Sequence, residues 1–271
     1  MRRIAILATS LLAVIAASAQ TAPKAAAPAA PAAAAPAAPP VTPGPHPKSA
    51  EENTAVLAMG KAETPDARIK AVDALMTAFP DTDYKSIALL MEAESYHAKK
   101  DDAKAILYGE QSLEADAKSF ETLLLLADIY SQTTRSTDLD MDDRLAKADK
   151  YAKDALAVLA TAEKPNPQLS DADWAGAKKG EESRAWEAMG LAAILRKKFD
   201  EAKTDIQKGM DLYPDPVDML RVGRAYMDAK KFDDAIAWDD KAGASPAADD
   251  NVKRIAAADK TRAQNLKKQQ Q

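Results

Sequence analysis

Trp186-Glu-Ala-Met189-Gly190, then Phe199-Asp-Glu-Ala202 and Pro214, is followed down the chain by Met219-Leu-Arg-Val222-Gly223-Arg-Ala-Tyr226 and Phe232-Asp-Asp-Ala235. Gly190 to Gly223, Phe199 to Phe232 and Ala202 to Ala235 are each 33 residues. Landmarks of different residue types that keep one spacing mark an internal repeat. The residues between them show no period-two alternation and are rich in Ala, Leu, Lys, Glu and Asp, which predicts helix throughout. Glycine or alanine at a fixed place then marks a helix crossing, and Trp186, Tyr226 and Phe199 fill the space between neighbouring helix pairs.

The same plan extends outward. Leu89, Ala93 and Tyr96 share one helix and are followed by Asp101-Asp102, Ala105-Ile106 and Leu113. Leu123, Ala127 and Tyr130 open a third unit, Ala127 standing 34 residues after Ala93, and its second helix carries Ala148, Ala152 and Ala155-Leu156. This unit has nine residues in excess in its internal turn, around Thr133 to Met141, and 20 more separate it from the fourth. Ser170-Asp-Ala-Asp173, just after Pro165 and Pro167, reads as a helix N-cap, so part of that excess extends the fourth unit's first helix backward through Trp174. A degenerate first unit has a good second helix in Ala67, Ala71 and Ala74-Leu75, ending at Phe79-Pro80, and a weak first one over Thr54 to Ala62. After Pro246, Val252, Ile255, Ala256 and Leu266 recur at near-helical spacing among charges, as in the polar cap that ends a solenoid.

These residues resemble the tetratricopeptide repeat, which puts a large apolar residue, a Leu-Gly-like pair and a Tyr on its first helix, an Ala and a bulky residue on its second, and closes with Pro. Phe79-Pro80-Asp81-Thr82-Asp83-Tyr84 resembles the turn between repeats in exported bacterial members. The resemblance, from about Glu51 to Ala244, implies an all-α TPR-like α-solenoid of about five helix hairpins over 49–245, then a capping helix and polar tail over 246–271. It further implies a non-catalytic scaffold that binds a protein or peptide on the concave face, lined by the first helix of each hairpin. The lining residues by this resemblance are Leu90, Glu94 and His97, then Glu121, Leu124 and Asp128, then Arg184, Glu187 and Leu191, then Leu220, Arg224 and Met227. Members that clamp a terminal carboxylate use Lys and Asn at several of these places. Leu90, Glu94, Leu124 and Asp128 stand there instead, which argues against that ligand class.

Ahead of the repeats, Met1-Arg2-Arg3, an apolar run from Ile4 to Ala17 and the small residues Ala17-Ser18-Ala19 read as a secretory signal peptide over 1–19, cleaved before Gln20. The run is shorter than the roughly 20 residues that span a bilayer, so no membrane insertion is expected after cleavage. Residues 20–48 are almost entirely Ala and Pro and read as a disordered, semi-extended linker. The expected location is therefore the periplasm or the medium. The formal charge of -5 becomes two units more negative when Arg2 and Arg3 leave with the leader, so nucleic acid is not an expected partner.

No reactive constellation emerges. The absence of cysteine excludes disulfides, zinc-thiolate sites and thiol nucleophiles. The two histidines, His46 in the linker and His97 beside Tyr96, make no metal pair and no triad, and no glycine-rich phosphate loop exists. No cofactor, metal or catalytic residue is expected. Asp138-Leu-Asp140-Met-Asp142-Asp143 fails as a calcium loop, with Asp143 where the turn needs Gly and Asp149 where a bidentate Glu should close it. It reads instead as a helix start, with Asp140 or Asp142 as the cap. Lys99-Lys100, Lys197-Lys198 and Lys230-Lys231 fall at equivalent turns between helices, each followed by acids, and read as charge that complements helix C-termini. Two other functions compete with the scaffold: a structural envelope protein acting through self-association or cell-wall contact, and a hydrolase using only carboxylates. With 42 Asp and Glu residues chance pairs are inevitable, so the hydrolase needs a closed pocket around such a pair.

Overall fold

The computed structural model describes residues 44–165 and 168–270; the expected leader and the linker as far as residue 43 lie outside them. Eleven α-helices and no strand occur among the described residues. α1 (Ala50–Lys61) and α2 (Pro65–Ala78) form the first hairpin, and α3 (Lys85–Ala98) and α4 (Asp102–Ala115) the second. α5 (Phe120–Thr133) pairs with α6 (Met141–Thr161), α7 (Asp171–Leu195) with α8 (Phe199–Leu212), and α9 (Pro216–Asp228) with α10 (Phe232–Ala244). α11 (Asp250–Gln269) follows. Five hairpins and a terminal helix are what the repeat spacing predicts, and the weak first helix is present in full.

Short polar side chains set the helix starts. Ser49, Thr64, Asp101, Ser119, Ser170, Asp215 and Asp249 each accept a hydrogen bond from a first-turn backbone N–H. Pro65 and Pro216 stand at the start of α2 and α9, where the missing N–H would have no helical partner anyway. Ser170 caps α7 as expected, its hydroxyl also donating to Asp173 Oδ2 at 2.6 Å. α7 thereby gains its backward extension to 25 residues, and Trp174 on it is buried with its ring centroid 6.4 Å from that of Phe120. The excess of the third unit lies in the turn 134–140 and in a second helix of 21 residues. Asp140 holds the cap position of α6 without a side-chain bond, and Asp142 and Asp143 occupy its first turn.

The lysine pairs have a duty that charge alone does not reveal. Lys100, Lys197 and Lys230 adopt φ of 66°, 61° and 61°, the left-handed region that favours glycine. Each sits just past the end of a first helix. The Lys100 N–H donates to His97 O and the Asp101 N–H to Tyr96 O, and the same pair of bonds joins Lys197 to Ile194 with Lys198 to Ala193, and Lys230 to Met227 with Lys231 to Tyr226. This double closure satisfies carbonyls that a helix end leaves bare and turns the chain straight into the second helix. A lysine held there carries a backbone strain that glycine lacks. Lys100→Gly, Lys197→Gly and Lys230→Gly are each expected to raise stability by about 0.5–1 kcal/mol in urea melts, after the entropy glycine adds to the unfolded chain. Alanine at the same positions keeps the strain and should give no gain, which separates backbone conformation from loss of charge.

The stacking defines an inner side. Consecutive first helices pack on one another, α3 on α5, α5 on α7 and α7 on α9, whereas consecutive second helices make no comparable contact. The row of first helices therefore lies on the inside of the curve. α11 continues this row by packing on α9 as well as α10, so it takes the place of the first helix of a sixth unit. Tyr226 is fully buried, its ring 6.3 Å from that of Phe199, while Trp186 is half-buried beneath the Lys208 ammonium, 4.0 Å above its ring.

Candidate functional site

Several charged residues of the inner row come together as a ladder between successive first helices. Arg184 of α7 donates to Asp128 of α5 at 2.7 Å and to Glu181 of its own helix at 2.7 Å. Arg221 of α9 donates to Glu187 of α7 at 2.5 Å and to Asp218 at 3.1 Å. Arg224 of α9 donates to Asp259 of α11 at 2.7 Å. Each arginine thus ties one first helix to the next. Glu94 of α3 and Glu121 of α5 lie at the earlier end of this row and form no salt bridge among the described residues, although Arg68 and Arg184 are near enough to attract Glu94.

Burial and like charge act together on these carboxyls. Burial pushes Glu94 above the ordinary carboxylate range against the attraction of Arg68, Arg184 and His97. Glu121 is raised to about 7 by burial, with Glu181, Glu94 and Asp116 adding repulsion. Glu187 is raised by burial and then by Asp218, in spite of Arg221. For Arg184, burial works against the charge, and Asp128 and Glu181 outweigh it. Six carboxyls, Glu94, Glu121, Asp128, Glu181, Glu187 and Asp218, therefore share the influence of three guanidiniums, those of Arg68, Arg184 and Arg221, and burial holds Glu94, Glu121 and Glu187 toward the neutral form.

No protein-family model matches the sequence, and no curated protein matches it. Among solved structures the chain is similar to TTC0263, a thermophilic TPR protein of Thermus thermophilus. The match covers 76% of this chain and 94% of that one, with 18% identity and a TM-score of 0.51. The fold is that of a tetratricopeptide-repeat solenoid.

Of the residues expected to line the concave face of the solenoid, the structure brings Glu94, Glu121, Asp128, Arg184 and Glu187 together on the inner row and adds Arg224 at its far end. Four others are corrected. Leu124, Leu191, Leu220 and Met227 are between 0% and 5% exposed and belong to the packed core, so they offer a partner no surface, and Glu187, 3% exposed beneath Arg221, offers none either. The reason is that α5, α7 and α9 are covered from more than one side: Leu123 to Leu126 are all buried, and Leu191, Leu220 and Met227 join one cluster with Ala256 and Ala263 of α11. Leu90 is half-buried against the cluster of Ala93, Ala105, Leu125 and Ile129. His97 is turned to the α3–α4 junction, where its Nδ1 lies 2.7 Å from Asp102 Oδ1. Asp128, Arg184 and Arg224 are all tied in ion pairs, and of the three only Arg224, with its side chain 54% exposed, is open to solvent. Arg68, Glu181, Asp218, Arg221 and Asp259 were missed by the sequence reading. The spacing of Glu187 to Arg221, 34 residues, was the available signal, because side chains one repeat apart on equivalent helix faces meet.

Proposed function

We propose that this chain is a non-catalytic protein-binding scaffold of the bacterial envelope, taking a positively charged segment of a partner protein along the inner row of the solenoid. The observation that carries the reading is the excess of carboxyls over guanidiniums on that row, with Glu94 and Glu121 left without an ion-pair partner among the described residues. A half-buried carboxylate without a counter-ion is stabilised by a cationic side chain brought to it, and such complementarity speeds encounter as well as fixing register. The envelope location rests on the leader read over 1–19 and on the Ala/Pro segment after it. Among the described residues no helix is long and apolar enough to cross a membrane. The carboxylate-hydrolase alternative is less favoured because two surface depressions, of about 450 and 240 Å³, hold Asp200, Glu201 and Asp234 in one and Asp149, Glu201 and Asp205 in the other, all but Asp200 of which are paired with a lysine or arginine, and neither is the closed pocket that reading needs.

The test is capture from envelope extract with the full chain as bait, followed by repetition with the double variant Glu94→Gln and Glu121→Gln against the partner so identified. Capture should weaken at least tenfold, while the melting curve does not fall, since both carboxyls are already raised by burial and their charge does not support the fold. Unaltered capture by the double variant would move the binding surface off the inner row. Recovery of this chain alone would favour the self-associating structural role.

A further inference from the structure

The fourth and fifth hairpins correspond through the 33-residue repeat, and at the crossing of their two helices they differ in kind. In the fourth, a Cβ added to Gly190 of α7 would meet Ile206 of α8. In the fifth, a Cβ added to Gly223 of α9 would meet Asp239 of α10, and Asp239 is the residue 33 positions after Ile206. A carboxyl thus stands where the preceding hairpin packs an isoleucine. Asp239 is 1% exposed, and neither Oδ1 nor Oδ2 has a hydrogen-bond partner among the described residues.

Nothing around Asp239 is available to balance a charge on it. The charged groups that face it are Arg224 of α9, Asp240 of its own helix, and Asp259 and Lys260 of α11. Both cations are committed elsewhere, Arg224 to Asp259 at 2.7 Å and Lys260 to Asp240 at 2.7 Å. The two carboxylates add repulsion. An unpaired charge at such a site costs several kcal/mol unless the group takes up a proton or the structure opens to water. The element outside the hairpin whose charges face Asp239 is α11, which supplies Asp259 and Lys260 and is held through Val252, Ala256 and Ala263.

We propose that Asp239 makes the capping helix α11 a pH-sensitive latch, closed over α10 while this carboxyl is neutral and loosened when it becomes charged. Burial, followed by repulsion from Asp259, raises Asp239 from 3.8 to about 7. The sign follows from linkage. Because the folded-state value is the higher one, the closed state binds more protons than the open state between pH 3.8 and about 7, and its stability falls through that window as pH rises. Above it, the loss is complete. Release of α11 would uncover α10 around Gly243, where a Cβ would lie 3.5 Å from Ala256 of α11.

The test is hydrogen exchange of the full chain, corrected for the intrinsic pH dependence of amide exchange. Protection of α11 amides should fall about tenfold or more between pH 5 and pH 8. Asp239→Asn, which is isosteric and cannot ionise, should hold α11 protection level across this range. Asp239→Ile copies the fourth hairpin and serves if the asparagine variant packs poorly; it should likewise remove the pH dependence. Equal protection of α11 at pH 5 and pH 8 in the natural chain, or a fall that persists in both variants, would overturn the proposal.

Discussion

Gly190→Leu is expected to lower the melting temperature by on the order of 5–10 °C, because its Cβ alone would lie 2.5 Å from Ile206 Cγ1 and 3.4 Å from the Ile206 backbone nitrogen. Ile206 is itself fully buried, so it has nowhere to withdraw. Overpacking of this kind costs about 1–3 kcal/mol and more when backbone must shift, against which the helix propensity gained by replacing glycine offers about 1 kcal/mol. Gly176 of the same helix supplies the internal control. Nothing lies within 4 Å of a Cβ placed there, and Gly176→Ala should raise stability by up to about 1 kcal/mol. One helix should therefore show both signs for the loss of a glycine, and thermal melts of the two variants check it. If Gly190→Leu stabilised the protein as Gly176→Ala does, the α7–α8 crossing would be misplaced.

Gly190 and Gly223 could be read from the sequence because they recur with the repeat, and recurrence is visible wherever units keep one length. Gly109 and Gly209 could not. They occupy second helices and have no counterpart one repeat away, yet a Cβ at Gly109 would lie 2.8 Å from Leu126 and one at Gly209 3.0 Å from the Ser183 carbonyl oxygen. The left-handed lysines escaped for a related reason: their pairing with following acids gave a sufficient account in charge, and lysine is no sequence signal for positive φ.

The candidate face was legible as a set of charges and illegible as a set of contacts. Predicting one lining stripe per first helix assumes a helix covered on one side only. α5, in which Phe120 and the unbroken run from Leu123 to Ala127 are all buried, is apolar nearly all round, as a helix covered on several sides must be. Asp239 shows the opposite failure, since an acid followed by Asp240 and Lys241 reads as a solvated face and only the fold reveals it against Gly223. Pairing was hardest where the repeat length breaks. Asp128 and Arg184 are 56 residues apart because the long α6 and the extension of α7 intervene, so no fixed spacing points from one to the other.

Arg184→Met is expected to destabilise the solenoid by about 3–5 kcal/mol, the usual consequence of removing one member of a buried ion pair. The Arg184 side chain is 18% exposed, and those of its partners Asp128 and Glu181 are 20% and 6% exposed. Methionine retains much of the apolar stem and fills the space, so what is lost is the guanidinium and its bonds at 2.7 Å to both acids. Two carboxylates then remain in a row that already holds Glu121 and Glu187, with Arg221 engaged elsewhere. Each is driven to take up a proton, and a group whose folded-state value is raised contributes stability that is lost as pH rises. The deficit of the variant against the natural chain should therefore be larger at pH 8 than at pH 5. Lys203→Met is the comparison, since Lys203 pairs with Asp234 at 3.4 Å with its side chain 58% exposed, where removal should cost less than about 1 kcal/mol at either pH. Chemical denaturation of both variants at the two pH values measures all four quantities. A loss at Arg184 as small as that at Lys203, or one that does not grow with pH, would mean that the ladder of arginines is not what joins the first helices.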